Sequence, residues 1–277
     1  MFDYNKDEVL DFAKKYEICN SHTHIFPEKI AQKAVKSIGD FYGLDMDCQM
    51  GTADELVKDG ELIGVTHYIV CSTATTAAQV ESINSFIIEE CRKHPEFIGF
   101  GTLHPDFENI EDEVERCISN GLRGIKLHPD FQHFKIDDDK AMKIYEAIKG
   151  RLPVLVHMGD NRYDYSQPAR LANVVKRFPE LVVFAAHLGG YSQWDDAAVY
   201  LQHFKNVYFD TCSSLEFISP EFAKELIRAF GIEKIFFGTD YPMWDHMGEL
   251  SRFIKLNLTE EENKLILSEN FKKFFGI

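Results

Sequence analysis

The sequence predicts a (β/α)8 TIM barrel, and three observations predict it. Eight short, β-prone apolar runs recur along the 277 residues. Each run is followed by a helical stretch, and strands that alternate with helices imply a parallel sheet. Eight such units, in a chain close to the roughly 250 residues usual for barrels, imply closure into a ring. A doubly wound open sheet is the runner-up, but it usually has fewer strands and a Gly-rich first turn, which is absent here. No linker, repeat or low-complexity stretch divides the chain, so one domain over residues 1–277 is expected.

The elements follow in order. Asp7 to Tyr16 reads as a short helix leading into the first strand, Ile18 to Ser21. Pro27 opens a helix through Ile38, because Pro is best tolerated at a first helical position. Phe41 to Thr52 is polar and Gly-punctuated, and reads as irregular, a loop that could lie over a site. The remaining strands are expected at Gly64–Ser72, Phe97–Leu103, Gly124–His128, Pro153–His157, Leu181–His187, Val207–Thr211 and Lys234–Asp240. Between them lie helices at Thr76–Lys93, Ile110–Asn120, Asp138–Lys149 and Pro168–Phe178, one ending near Phe204, and one at Pro220–Phe230. Two further helical segments end at Phe275.

Composition bounds the function. A hydrophobic content of 45% with 27% charged residues is ordinary for a globular protein. The net charge of −15 opposes binding to nucleic acid or to an anionic membrane, and an anionic substrate would need local cations. No run approaches a membrane span, and the charged start Met1-Phe2-Asp3-Tyr4-Asn5-Lys6-Asp7-Glu8 lacks a signal-peptide core, so a cytoplasmic location is expected. The six cysteines are scattered without a C-x-x-C pair, and buried reduced thiols are expected rather than disulfides. The expected partner is a small-molecule substrate, a carboxylate among the options, with a homodimer left open.

In a barrel the active site lies at the C-terminal ends of the strands. Read there, the sequence shows His22 and His24 on the first strand, His104 after the third, and Lys126 and His128 on the fourth. His157, His187 and Asp240 end the fifth, sixth and eighth. Residues i and i+2 of a strand point to one side, so His22 and His24 aim two imidazoles at one point, an arrangement that suits a divalent metal. Alternatively, such histidines are satisfied polar residues. Asp240 at a strand end is costly to bury without a cation or donor, with helix capping as the other reading.

The order His-x-His, His, His, Asp, with the phrases GFGTLHP, GIKLHPDF, VLVHMGD, AAHLGG and FGTDYP, resembles the amidohydrolase superfamily and its amidohydrolase-2 branch. That branch includes aminocarboxymuconate-semialdehyde decarboxylase, resorcylate-type decarboxylases, hydrolases and hydratases. The resemblance spans Ile18 to Phe274. It implies that His22, His24, His157 and Asp240 hold one divalent metal, Zn²⁺ by expectation, with His187 a catalytic acid, an electrophile or a ligand of a second ion. Such a Lewis acid lowers the pKa of a bound water to roughly 7. Asp240 is then the candidate base, and hydrolysis of a small amide, lactone or ester is the leading expectation. Decarboxylation of an unsaturated or aromatic acid is the alternative.

Lys126 has three readings: a carbamylated bridge between two metals, as in binuclear relatives; an ammonium that binds a substrate carboxylate; or a stem crossing the rim with its head in water. His128 shares its face and is a substrate-contact candidate. Arg162 could clamp a carboxylate or form an ordinary loop salt bridge. Trp244 could cover an unsaturated substrate or simply pack. His67, His94 and His203 are expected to be structural or solvated.

Overall fold

In a computed structural model, which describes residues 4–48 and 50–277, the eight expected strands form one parallel sheet in the order β1 to β8. They are β1 (Ile18–His24), β2 (Val65–Cys71), β3 (Phe97–Thr102), β4 (Gly124–Leu127), β5 (Val154–Val156), β6 (Val183–Ala185), β7 (Val207–Asp210) and β8 (Ile235–Phe236). The ring closes between first and last: the Ser21 N–H donates to the Phe237 carbonyl at 2.9 Å, and the Asp240 N–H to the His22 carbonyl at 2.9 Å. Gln49 of the expected loop and Met1 to Asp3 of the charged start lie outside the described residues.

The helices are α1 (Lys6–Ala13), α2 (Glu28–Tyr42), α3 (Ala53–Glu61), α4 (Val80–Lys93), α5 (Ile110–Ser119), α6 (Pro129–Gln132), α7 (Asp139–Ile148), α8 (Pro168–Arg177), α9 (Trp194–Leu201), α10 (Pro220–Phe230), α11 (His246–Ile254), α12 (Glu260–Lys264) and α13 (Asn270–Phe275). A π-helical turn, Leu265–Glu269, joins the last two. Three features differ from expectation. Helix α2 runs a turn past Ile38 and stops at Gly43, whose φ of 68° is a left-handed conformation that glycine adopts without steric cost. Helices α3 and α6 were not expected. Strands β5, β6 and β8 are shorter than their apolar runs, because the chain leaves the ladder before the polar residue: His187 and Asp240 have φ of 61° and 56°. Such a backbone costs a non-glycine residue about 1–2 kcal/mol, and it turns the chain sharply at the strand end.

Inside the barrel, Phe100, Leu155, Phe184 and Phe236 pack with Phe271 and Phe275 of α13. Arg123, just before β4, donates to the Phe275 carbonyl at 2.7 Å, so α13 plugs the N-terminal end of the barrel. The opposite end is left for polar side chains. All six cysteines are free. No helix among the described residues is long and apolar enough to cross a membrane.

Candidate metal centre and its cavity

Strands β1 and β8 are hydrogen-bonded neighbours, so the His22-Thr23-His24 triplet lies against Asp240. The Asp240 Oδ1 atom is 3.1 Å from His24 Nε2 and 3.5 Å from His22 Nε2. Two donors on a tetrahedral divalent ion, each at about 2.1 Å, sit about 3.4 Å apart. The spacing therefore fits one cation held by two imidazoles and a carboxylate.

The surroundings orient these donors. His22 Nδ1 lies 2.9 Å from Asp210 Oδ2, both side chains buried. A carboxylate can only accept, so Nδ1 carries the proton and Nε2 presents its lone pair. Burial, with the Lys126 ammonium, pushes His22 down to about 4 and keeps it neutral. Burial also acts against charge on His24, but Cys71 and Asp240 outweigh it and raise that group to about 9, so a cation at Nε2 would displace a proton. Asp240 is buried, which alone would raise its carboxyl, yet His22, His24 and His187 hold it well below the usual range. Ser213 Oγ donates to Asp240 Oδ2 at 2.7 Å and accepts from Trp244 Nε1 at 3.0 Å.

His157 stands apart from those three donors, whereas His187 stacks on His22 with ring centres 5.3 Å apart. His157 Nδ1 is 2.9 Å from His187 Nε2, and its Nε2 faces the Tyr42 hydroxyl at 3.4 Å and Asp130 at 3.8 Å. Its ring stacks on His128 at 3.9 Å between centroids. Burial holds His128, His157 and His187 below the usual imidazole range, so all three are neutral. His187 sits behind His157, grouped with His22, Asp210 and Cys212. Lys126 is the other expected ligand of a second ion. It is completely buried, with Nζ 2.9 Å from His22 Nε2.

A cavity of about 490 Å³ opens above, and His24, Lys126, His128, His157 and Asp240 reach its surface. Phe41, Tyr42 and Met46 border it, and the Asp47 and Cys48 N–H groups donate to the Met243 and Pro242 carbonyls of the loop after β8. Arg162 does not reach the cavity. Its fork grips Asp160 at 2.6–3.2 Å and the Phe41 carbonyl at 2.6 Å, with the guanidinium 4.5 Å from the Phe41 ring centre. Arg162 thus forms the loop salt bridge that was one of its two readings. Trp244 does not line the cavity; it packs with Val35, Met46 and Met243, with Arg252 4.6 Å from its ring centre. His104 accepts from the Asp106 N–H and lies outside the cavity.

Four residues were missed: Asp210, Cys212, Ser213 and Tyr42. Asp210 ends the apolar run VYFD, the same signal that marked Asp240. Nothing in the sequence marks Tyr42, which arrives only through the extra turn of α2.

A parallel barrel with imidazole and carboxylate donors converging at its C-terminal end is the architecture of a metal-dependent barrel enzyme. A family model described as amidohydrolase matches residues 19–277, and the chain belongs to this amidohydrolase family. No curated protein matches the sequence. Among solved structures, the chain is similar to 5-carboxyvanillate decarboxylase from Sphingomonas paucimobilis, with a TM-score of 0.72, 14% identity, and 94% and 99% of the two chains covered. It is also similar to a dihydroxybenzoic acid decarboxylase from a Polaromonas species holding manganese and the inhibitor 2-nitroresorcinol, at 0.72, 17%, 94% and 97%. A third is a probable 2-pyrone-4,6-dicarboxylic acid hydrolase from Acinetobacter baumannii with citric acid bound, at 0.69, 15%, 94% and 100%. At these identities the likeness shows the fold. Family and donor set together support a divalent metal.

Proposed function

We propose that the protein is a metal-dependent decarboxylase of a small carboxylic acid. The observation that carries the reading is Lys126, a buried ammonium 2.9 Å from His22 Nε2 at the cavity floor. A cation placed beside the donor set, rather than far from it, anchors a carboxylate at the reacting centre itself, so the carboxylate is the group that reacts. His22, His24 and Asp240 would hold the metal, and the donor set suits Mn²⁺ or Zn²⁺. His157 joins them only by turning from His187. When bound, the metal supplies Lewis-acid polarisation of the substrate oxygens. The one lone pair of His22 Nε2 would go to the metal, which frees Lys126 Nζ from its contact there to orient the carboxylate, and the largely apolar walls exclude water. As the C–C bond to the carboxylate breaks, its electron pair stays on carbon and CO₂ leaves. Asp240, ionised at rest and the one carboxylate among the described residues lining the cavity, is placed to relay to that carbon a proton taken up from solvent. His187 acts from behind through His157, and His128 with Tyr42 borders the substrate. The decarboxylases with similar folds support this reading.

Hydrolysis of an amide, lactone or ester is the second reading. It is favoured by Asp240, whose carboxylate is held ionised, the state a base needs. The test is a panel of aromatic and unsaturated acids, lactones and N-acyl amino acids with enzyme reloaded separately with Mn²⁺ and Zn²⁺. Release of CO₂ that is lost in Lys126→Met supports decarboxylation. Incorporation of ¹⁸O from water without CO₂ release would replace it with hydrolysis, and two metal equivalents with a carbamate at Lys126 would replace the single-ion site.

A further inference from the structure

The cavity extends well beyond its polar floor, and this extension names a substrate class. On α2, Ile30, Ala34 and Ile38 repeat every fourth residue, so they form one stripe along the helix. All three line the cavity, opposite Ile83 and Phe86 of α4. Ile30 is 51% exposed at the rim, where a large aliphatic side chain otherwise gains nothing from facing water. The groove between α2 and α4 is continuous with the floor that carries Lys126, His24 and Asp240, so an occupant would lie with one end at the metal donors.

The charge pattern restricts that occupant. Lys126 is the one lysine or arginine, and Asp240 the one carboxylate, among the described residues lining the cavity. Arg162, in the loop after β5, is held by Asp160 and the Phe41 carbonyl. A second carboxylate placed in the groove would lose its hydration without gaining a cation, which is strongly unfavourable. A volume of about 490 Å³ lies within the roughly 300–1,000 Å³ typical of sites for drug-sized ligands.

We propose that the substrate is a monocarboxylate with an extended apolar tail, its carboxylate at Lys126 and its tail between α2 and α4. The assignment rests on the proposed anchoring of a carboxylate by Lys126, and its test separates the two. Calorimetry with metal-loaded enzyme measures the binding of straight-chain monocarboxylates from butanoate to decanoate, and of dicarboxylates of matching length. The expected result is roughly fourfold tighter binding per added methylene until the groove is full, the factor that about 0.8 kcal/mol per buried CH₂ represents. Dicarboxylates are expected to show no such gain. Ala34→Trp fills the groove and should abolish the length dependence while leaving butanoate binding unchanged, and Lys33→Trp, on the exposed side of α2, should leave both. If Ala34→Trp does not fold, Ile30→Glu at the exposed rim serves, and should weaken decanoate at least tenfold but not butanoate. Length-independent binding, or equal gains for dicarboxylates, would overturn the tail assignment and leave the carboxylate anchor standing. Length dependence that survives in Lys126→Met with butanoate binding unchanged would instead remove the anchor and keep the groove.

Discussion

His22 and Asp210 form a buried imidazole–carboxylate pair at 2.9 Å, from strands β1 and β7 with only β8 between them, and this pair turns His22 Nε2 toward Asp240. Each donor in the cluster has such a partner behind it. Burial would raise the Asp210 carboxyl, but His22 and His187 hold it below the usual range, so it stays an acceptor at neutral pH.

Asp210→Asn keeps the shape and removes the charge that fixes the His22 tautomer. Metal affinity is expected to fall about ten- to hundredfold, with the far-ultraviolet circular dichroism unchanged. Metal titration monitored by calorimetry checks it, and an unaltered affinity would show that His22 is not a ligand oriented in this way.

Ser213→Ala removes the 2.7 Å hydrogen bond to Asp240 Oδ2. A hydrogen bond to a charged group contributes about 1.5–3 kcal/mol, so kcat/KM should drop roughly tenfold or more. Trp244→Phe, which removes the donor to Ser213 together with part of the ring beneath Arg252, should act in the same direction. Steady-state kinetics on the acid identified by the substrate panel measure both.

Glu249 gives a pH signature of stability. Burial pushes its carboxyl up to about 8, against the opposing charge of Arg252, so the folded chain holds a proton that the unfolded chain releases near 4.5. Between those values the folded state binds more protons, and stability therefore falls as pH rises. The contribution is fully present below about pH 4.5 and lost by passage through about pH 8. Denaturant titrations across this range should show a flatter decline for Glu249→Gln, and an identical slope would show that Glu249 is not protonated in the fold.

Arg162→Ala and Lys126→Met should separate. Arg162 is partly exposed but its partner Asp160 is buried, so its loss leaves an uncompensated buried carboxylate and should cost about 3–5 kcal/mol of stability, while changing substrate KM by no more than a few-fold. Lys126→Met should weaken carboxylate binding at least tenfold. Thermal unfolding and KM measured on both variants check the pair, and a larger KM effect from Arg162→Ala would restore the loop as a carboxylate clamp.

Much of the barrel was legible because its signals are local. Apolar runs such as LVVFAAH specify a strand by side-chain period and burial, and the following helix by its own period. The irregular stretch after Phe41 was legible only as irregular. The last turn of α2, with Tyr42 on it, depends on the left-handed stop at Gly43 and on packing against Phe131 and Tyr191.

By itself, the sequence determined which residues stand at the strand ends: His22 and His24 on one face of β1, Lys126 and His128 on β4, and His157, His187 and Asp240 after their strands. Tertiary structure alone decided which of their atoms meet. It joins His22, His24 and Asp240, pairs His157 with His187, brings Asp210 behind His22 and commits Arg162 to Asp160. The reason is physical. A residue's place along a strand is set by nearest neighbours. Convergence of two nitrogens to within 3 Å depends on closure of the ring, and on the sharp turns at His187 and Asp240 that aim their side chains after the ladder has ended.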